Sequence, residues 1–361
     1  MRSKILVINP GSTSTKVGIF EKDKEIFVEN IDHQRELTAI HSGIWDQFDL
    51  RKSAIIDFLQ KNDIDYNAIA AVVGRGGLLK PIPGGTYTVT EAMIVDAREG
   101  QRGHHASNLG CALAKEIAGA AGVQAFVVDP VSVDEFEPLA RYSGHPIIER
   151  RSLSHTLNIH AVGRKAAEDL GINFSTHNFI VVHLGGGISI CPLVNGRIVD
   201  VNDASSSGPF SPERTGELPL QPFIDLCYSG EYTKADMQRL VMGKGGLYAY
   251  LGTTDAREVE DAIASGDKKA EEVYSAMAYQ IAKEIGAMAT VVSGKVSAIV
   301  ISGGLAKSKM LLASIKERVG YIAQVLVYPR EYEMEALAEG VLRVLEGEEK
   351  ALNYDNCQSN T

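Results

Sequence analysis

The chain is short of several things. Its 361 residues include four cysteines, Cys111, Cys191, Cys227 and Cys357, with no CxxC pair and no metal-ligand spacing. That argues against a disulfide scaffold and for reduced thiols in a cytoplasmic protein. Lysine and arginine form no run or stripe, and the formal net charge is −10, which argues against nucleic acid as a partner. No uninterrupted apolar stretch is long enough to span a bilayer. Asn9, Pro10 and Gly11 cut the apolar run at residues 5–8 too early for a signal peptide. An anionic ligand would have to be held by local groups against an acidic background.

What is present is a hydrophobic fraction of 45%, enough for one or two sizeable cores, and a length that favours two domains. Residues 5–8, 17–20 and 26–28 read as three strands joined through tight turns. A helix follows at 51–62, a buried strand at 68–73, a Gly/Pro-rich loop at 74–85, a small-residue helix at 108–121 and a strand at 124–129. The opening pattern then returns over residues 178–201, with Asn195-Gly196 as a hairpin signal. The chain thus reads as two copies of one unit. Asp255 to Glu258 resembles a capping box, and Val273, Met277, Ile281, Ile285, Met288 and Val292 keep helical spacing. Strands at 296–301 and 324–328 and a helix at 333–345 complete the pattern.

Three glycine turns end three apolar strands. "GSTSTK" (11–16) offers backbone N–H groups, hydroxyls and a lysine, which together suit phosphate. It is not a Walker A loop, because a strand follows it and the GxxxxGK[ST] spacing is absent. "HLGGGIS" (183–189) is nearly bare backbone that a polyphosphate can approach closely. "SGGLAKS" (302–308) stands between a strand and a helix, where it can hold a nucleoside or seat phosphate at the helix start. Singly, each reads as an ordinary hairpin. Together, two of them in equivalent places of a repeat, they point to a cleft between two similar halves that grips a nucleotide.

The strand–turn–strand of both halves with a Gly-Gly nucleoside loop resembles the actin, sugar kinase and acetate kinase superfamily. "LVINPGSTSTK", "GRGGLLKPIPGG", "ERRSLSHTLNIHAVGRKAA" and "VVHLGGGIS" resemble the acetate kinase family, and within it the butyrate kinases. The resemblance implies an α/β fold of duplicated actin-like (ribonuclease H-like) domains with a nucleotide cleft between them. The expected halves are 1–150 and 151–345, the terminal helix packing back on the first, with 346–361 a frayed polar tail. The implied reaction moves the γ-phosphoryl group of ATP to the carboxylate of butyrate or a similar short-chain or branched acid. ATP and Mg²⁺ are the implied cofactors, and a homo-oligomer is expected.

By resemblance, Asn9, Ser12, Ser14 and Lys16 match phosphate and metal positions, and Arg75 matches an arginine contacting the carboxylate and the transferring group. Arg214 in "SPERTGELP" falls near a second such arginine, in a changed surrounding. His155 matches a donor to the transferring oxygens, and Asp129 a carboxylate that orients its surroundings. Glu333 is the candidate acidic metal ligand, with Glu335 as the alternative register. His104 in "GHHASNLG" is matched weakly to a substrate-site histidine beside His105. His160 and His183 read first as packing residues. His183 adjoins the second turn and is kept with Gly185, Gly186 and Gly187 as a phosphate candidate, as are Gly303 and Gly304 at the third.

Two departures from the acetate kinase pattern stand out. Gly76 and Gly77 directly follow Arg75, where acetate kinases carry bulkier residues. That is expected to leave room for a longer acyl chain, at ~0.8 kcal/mol per buried methylene. Gly186 stands where acetate kinases carry asparagine. Rival readings are an actin-like sugar kinase, a chaperone-type or filament-forming ATPase, and an acid kinase for isobutyrate or propionate. A sugar kinase needs a base for an unactivated hydroxyl, for which Asp129 is available. Paired arginines suit an anionic acceptor better.

Overall fold

A computed structural model describes residues 2–37 and 43–357. The chain divides into two compact units. One takes the described residues up to Asp134 and those from Tyr332 onward; the other is Glu135–Glu331. The division falls well before residue 150, because the stretch after Asp134 joins the second sheet: Glu135 accepts from the Ile198 N–H and Glu137 donates to the Val199 carbonyl. The strands in chain order are β1 Lys4–Pro10, β2 Ser14–Glu21, β3 Lys24–Asp32, β4 Ile69–Arg75, β5 Thr86–Thr88, β6 Gln124–Val128, β7 Asn178–Leu184, β8 Ile188–Val194, β9 Arg197–Ile198, β10 Ala298–Ser302, β11 Val325–Tyr328 and β12 Leu352–Asn353.

The first unit holds a seven-stranded sheet of order β12-β5-β6-β4-β1-β2-β3. β1, β2 and β3 form an antiparallel meander, and β4 and β6 add to it in parallel. Alternation decides what each face meets. Leu6, Ile8, Val17 and Ile19 point to helices Phe48–Lys61 and Leu109–Ala121, packing on Ile55, Phe58, Leu59 and Leu113. The odd-numbered side chains of β1 face helix Glu333–Leu345. A Cβ on Gly18, the residue opposite Val7, would stand 3.0 Å from Met334. Residues 346–357 are not a frayed tail. β12 pairs with β5, and Tyr354 is fully buried, its hydroxyl donating to Asp96 at 2.7 Å. A buried phenol with a carboxylate partner holds a chain end that its polarity alone would release.

The second unit repeats the plan, with sheet order β11-β10-β7-β8-β9. β7, β8 and β9 form the antiparallel meander, and β10 and β11 the parallel extension. Asn195 and Gly196 both take positive φ, at 51° and 80°, as a two-residue hairpin of this hand requires. Helix Lys268–Val291 buries Val273, Met277, Ile281, Ile285 and Met288 on one face of the sheet. Helix Thr156–Asp169 covers the other. Asp255 caps its helix through the Arg257 N–H, but the reciprocal half of a capping box is missing. Glu258 instead accepts from Thr253, whose hydroxyl also takes the Asp255 N–H.

Candidate active site

In the first unit, alternation along β1 sets the side chain of Asn9 on the face of helix Glu333–Leu345, and the β1–β2 register puts Lys16 directly opposite it. Asn9 Nδ2 donates to Glu333 Oε2 at 2.8 Å. The other oxygen of that carboxylate pairs with Arg75 Nη1 at 2.6 Å. Arg75 closes β4, is 9% exposed, and keeps its Nε buried with no hydrogen-bond partner among the described residues. Asn9, Arg75 and Glu333 are thus brought together, and Lys16 stands on the same face. Glu333 rather than Glu335 has the carboxylate that meets Asn9 and Arg75. Ser12 is exposed and Ser14 half-buried, in the turn between β1 and β2.

Asp129 follows Val128, which pairs with Arg75 across β4 and β6. It is buried and holds φ at +40°, a left-handed conformation that aspartate tolerates better than most residues. Its carboxylate accepts from the Gly85 N–H at 2.7 Å, and its own N–H donates to the Gly85 carbonyl. So Asp129 fastens the far end of the loop that begins at Arg75. Gly76 and Gly77 do not open space there. A Cβ on Gly76 would overlap Pro130, and one on Gly77 would overlap Asn108, whose fully buried amide accepts from Leu78 N. These glycines let the loop pack closely on Pro130 and on the start of helix Leu109–Ala121, which removes the room expected for a longer acyl chain.

His104 lies against Gly100, the left-handed end of helix Glu91–Glu99. Its neighbour His105 lies within the field of the arginines. Desolvation, then the charges of Arg75 and Arg51, hold His105 below the usual histidine value. Sequence reasoning also missed Arg51, whose guanidinium donates to the carbonyls of Gly11 and Ser14 at 2.8 and 2.7 Å. An arginine at the first residue of a read helix carries no signal that it turns inward; only its spacing to Ile55 and Phe58 does.

In the second unit His155 is the residue preceding helix Thr156–Asp169, and its Nδ1 lies 3.0 Å from Ser189 Oγ. Its ring stacks on His183 at 3.9 Å between centroids. Asn158, on the same helix, reaches His183 Nδ1 at 3.0 Å and donates to Ser302 Oγ at 2.8 Å. Asn158 therefore ties the ends of β7 and β10, the two strands that lead into the second and third glycine turns. Arg214 packs on the second turn, so that a Cβ on Gly187 would overlap its guanidinium. Its Nη1 donates to Ala204 O at 3.1 Å, and its Nε is buried without a hydrogen-bond partner among the described residues. Ser211 Oγ donates to Gly186 O at 2.5 Å. A Cβ on Gly303, at φ +93°, would overlap the Leu184 carbonyl, whereas Gly304 faces open space. His160 is buried edge-on to Phe174. Among the residues named from sequence, Asn9, Arg75 and Glu333 form one group in the first unit and His155 and His183 one in the second, while His104 and His160 lie apart from them.

The Acetokinase family model matches residues 140–323, just over half of the chain. The chain belongs to the acetokinase family. As a member it is a phosphotransferase with a carboxyl group as acceptor, and the family's phosphoryl donor is ATP. Among solved structures, it is similar to Porphyromonas gingivalis acetate kinase at 20% identity and a TM-score of 0.77, over 95% of this chain and 100% of that one. A propionate kinase from Francisella tularensis is 17% identical with a TM-score of 0.73, covering 94% of this chain and 98% of its own. A suggested N-acetylmannosamine kinase from Listeria monocytogenes matches at 14% and 0.53, over 96% and 100%. These likenesses carry the fold of this acetokinase family member. Among its described residues no helix is long and apolar enough to cross a membrane.

Proposed function

We propose that this acetokinase family member is a butyrate kinase, moving the γ-phosphoryl group of ATP to butyrate or a close short-chain or branched acid, reversibly. The observation that carries the site assignment is the group Asn9–Glu333–Arg75 beside a hydroxyl-rich turn. A carboxylic acid with its ordinary pKa of ~4 is ionised at neutral pH, so the acceptor needs no general base. The catalytic work is positioning and charge stabilisation of a loose phosphoryl group. Arg75 is assigned to the acid and the transferring group, and Arg214 and His155 to the oxygens that gain charge. The Ser12–Lys16 turn and the Gly185–Gly187 turn are assigned to polyphosphate, and Gly303 and Gly304 to the nucleoside. Asp129 keeps the Arg75 loop in place. The choice of butyrate rests on the sequence resemblance, since the Cβ sides of Gly76 and Gly77 are filled.

A divalent cation fits the donor set. Mg²⁺ takes oxygen ligands, keeps several waters and is held by one or two carboxylates plus substrate phosphates. Glu333 supplies the carboxylate and Asn9 an amide oxygen. Among the described residues no group of three or more His, Cys, Asp or Glu is arranged to hold a metal. When bound, the ion would neutralise phosphate charge. A homo-oligomer belongs to this reading and is checked by light scattering.

The test is purified protein with ATP, Mg²⁺ and a panel of acids and sugars, acyl phosphate being trapped by hydroxylamine. Butyrate should give the highest kcat/KM. A higher value for propionate or isobutyrate moves the substrate within the class. Product from sugars and from no acid overturns the reading.

A further inference from the structure

Arg51 is the largest fully buried side chain among the described residues. It occupies a core position of helix Phe48–Lys61, one turn before Ile55. Its Nη1 donates to Ser14 O and to Thr15 Oγ1 at 2.9 Å, and its Nη2 to Gly11 O, Ser12 O and Gln47 Oε1. Its Nε donates to Gln47 Oε1 at 3.1 Å. These acceptors satisfy the guanidinium donors, but none is a carboxylate. A buried charge ordinarily has a counter-ion. Among the described residues this one has only dipoles: the Gln47 amide and, for the rest, oxygens of the first phosphate turn.

The geometry of the peptide unit gives the consequence. In a trans peptide the carbonyl and the following N–H point to opposite sides. With the carbonyls of Gly11 and Ser12 drawn down to Arg51, the N–H groups of Ser12 and Thr13 point away from it. Both residues are exposed, and neither N–H has an acceptor among the described residues. We propose that Arg51 is a positioning residue for the polyphosphate: it fixes the turn with the Ser12 and Thr13 N–H groups outward and sets an uncompensated positive charge behind them. A bound phosphate then supplies the counter-charge that the protein withholds. This rests on the first turn being a phosphate site, as proposed above.

A second observation agrees. The Arg51 charge reaches two histidines of the first unit. His33, whose Nε2 lies 2.9 Å from Thr15 Oγ1, is held below the usual histidine value by desolvation and then by Arg51. His105 feels Arg51 after desolvation and Arg75. Burial lowers Arg51 itself to about 10, which leaves it charged at neutral pH.

The experiment compares the full-length wild type with Arg51→Lys and Arg51→Gln. ADP affinity is read by calorimetry, and KM for ATP and for the acid by steady-state kinetics. Lysine keeps the charge with fewer donors; glutamine keeps polar contact without the charge. Arg51→Gln should weaken ADP about tenfold or more, and Arg51→Lys by less than about threefold, with the acid KM within about twofold of wild type. In the wild type, the amide resonances of Ser12 and Thr13 should shift on adding ADP, a readout that stands even where Arg51→Gln fails to fold. Wild-type ADP affinity in Arg51→Gln, equal losses in both variants, or unmoved Ser12 and Thr13 amides overturn the inference alone. A wild type that binds no nucleotide overturns the reading of the turn as well.

Discussion

Asn9 and His183 occupy the same place in the two meanders. Each is the sixth residue of a seven-residue first strand, just before the turn. Opposite Asn9 stands Lys16; opposite His183 stands Ser189. Beyond that point the units diverge. The first turn offers hydroxyls and a lysine and is propped from within by Arg51. The second is bare backbone, with Arg214 and Ser211 pressed against it. On the proposed reading, one strand–turn–strand frame offers anions two kinds of site: side-chain donors over a hidden cation, or naked amides beside a guanidinium. Each way constrains different residues.

The largest expected effect falls on the first unit's arginine. Arg75→Ala should lower kcat about 10³-fold with a modest change in ATP affinity, read by hydroxylamine trapping and calorimetry. Weak ATP binding with normal turnover would assign Arg75 to the nucleotide instead. Next comes the contrast between the turns. Gly187→Ala should lower kcat/KM for ATP about 10²-fold, because the new Cβ overlaps Arg214. Gly11→Ala should stay within about threefold, since its Cβ would meet Ser14 O at 3.5 Å, an ordinary contact. Equal effects would erase the distinction between the two turns.

The smallest effect is a pH dependence contributed by two histidines of the first unit. His33 and His105 both titrate below the usual histidine value. The unfolded chain therefore takes up the protons first as pH falls. Their contribution is fully present above the ordinary value of ~6.5 and is lost as pH drops toward the lowered folded values. Their ring-proton resonances should titrate below ~6.5, and Tm should fall by about 2–4 °C over that window. Titration of either ring at or above the ordinary value would remove the Arg51 and desolvation account.

The duplicated fold is legible in the sequence because its signals are local. Alternating strands, Asn195-Gly196 and three glycine turns are each written in a few adjacent residues. The helix at Glu333–Leu345 is legible from its apolar spacing. What is not legible depends on distant partners. Nothing near Arg51 says that its acceptors are carbonyls nearly forty residues earlier. Tyr354 sits in a polar stretch, and it is buried by distant partners, with β12 paired to β5 and its hydroxyl on Asp96. Gly76 and Gly77 look like missing bulk because the atoms filling that space come from Pro130 and Asn108. His104 and His105 are adjacent, and sequence spacing does not say that His105 feels the charge of Arg75. Sequence puts the first domain's end too late because residues 135–150 carry no strand pattern, though Glu135 and Glu137 hold on to the second sheet.

The central claim is phosphoryl transfer to a carboxylate. It is met most directly by following the terminal phosphate of γ-³²P-ATP in the presence of butyrate. The account predicts label in a species that forms only with the acid and that hydroxylamine converts to free phosphate and the hydroxamate. Label in a hydroxylamine-resistant sugar phosphate, or only in inorganic phosphate whether or not acid is present, would contradict it.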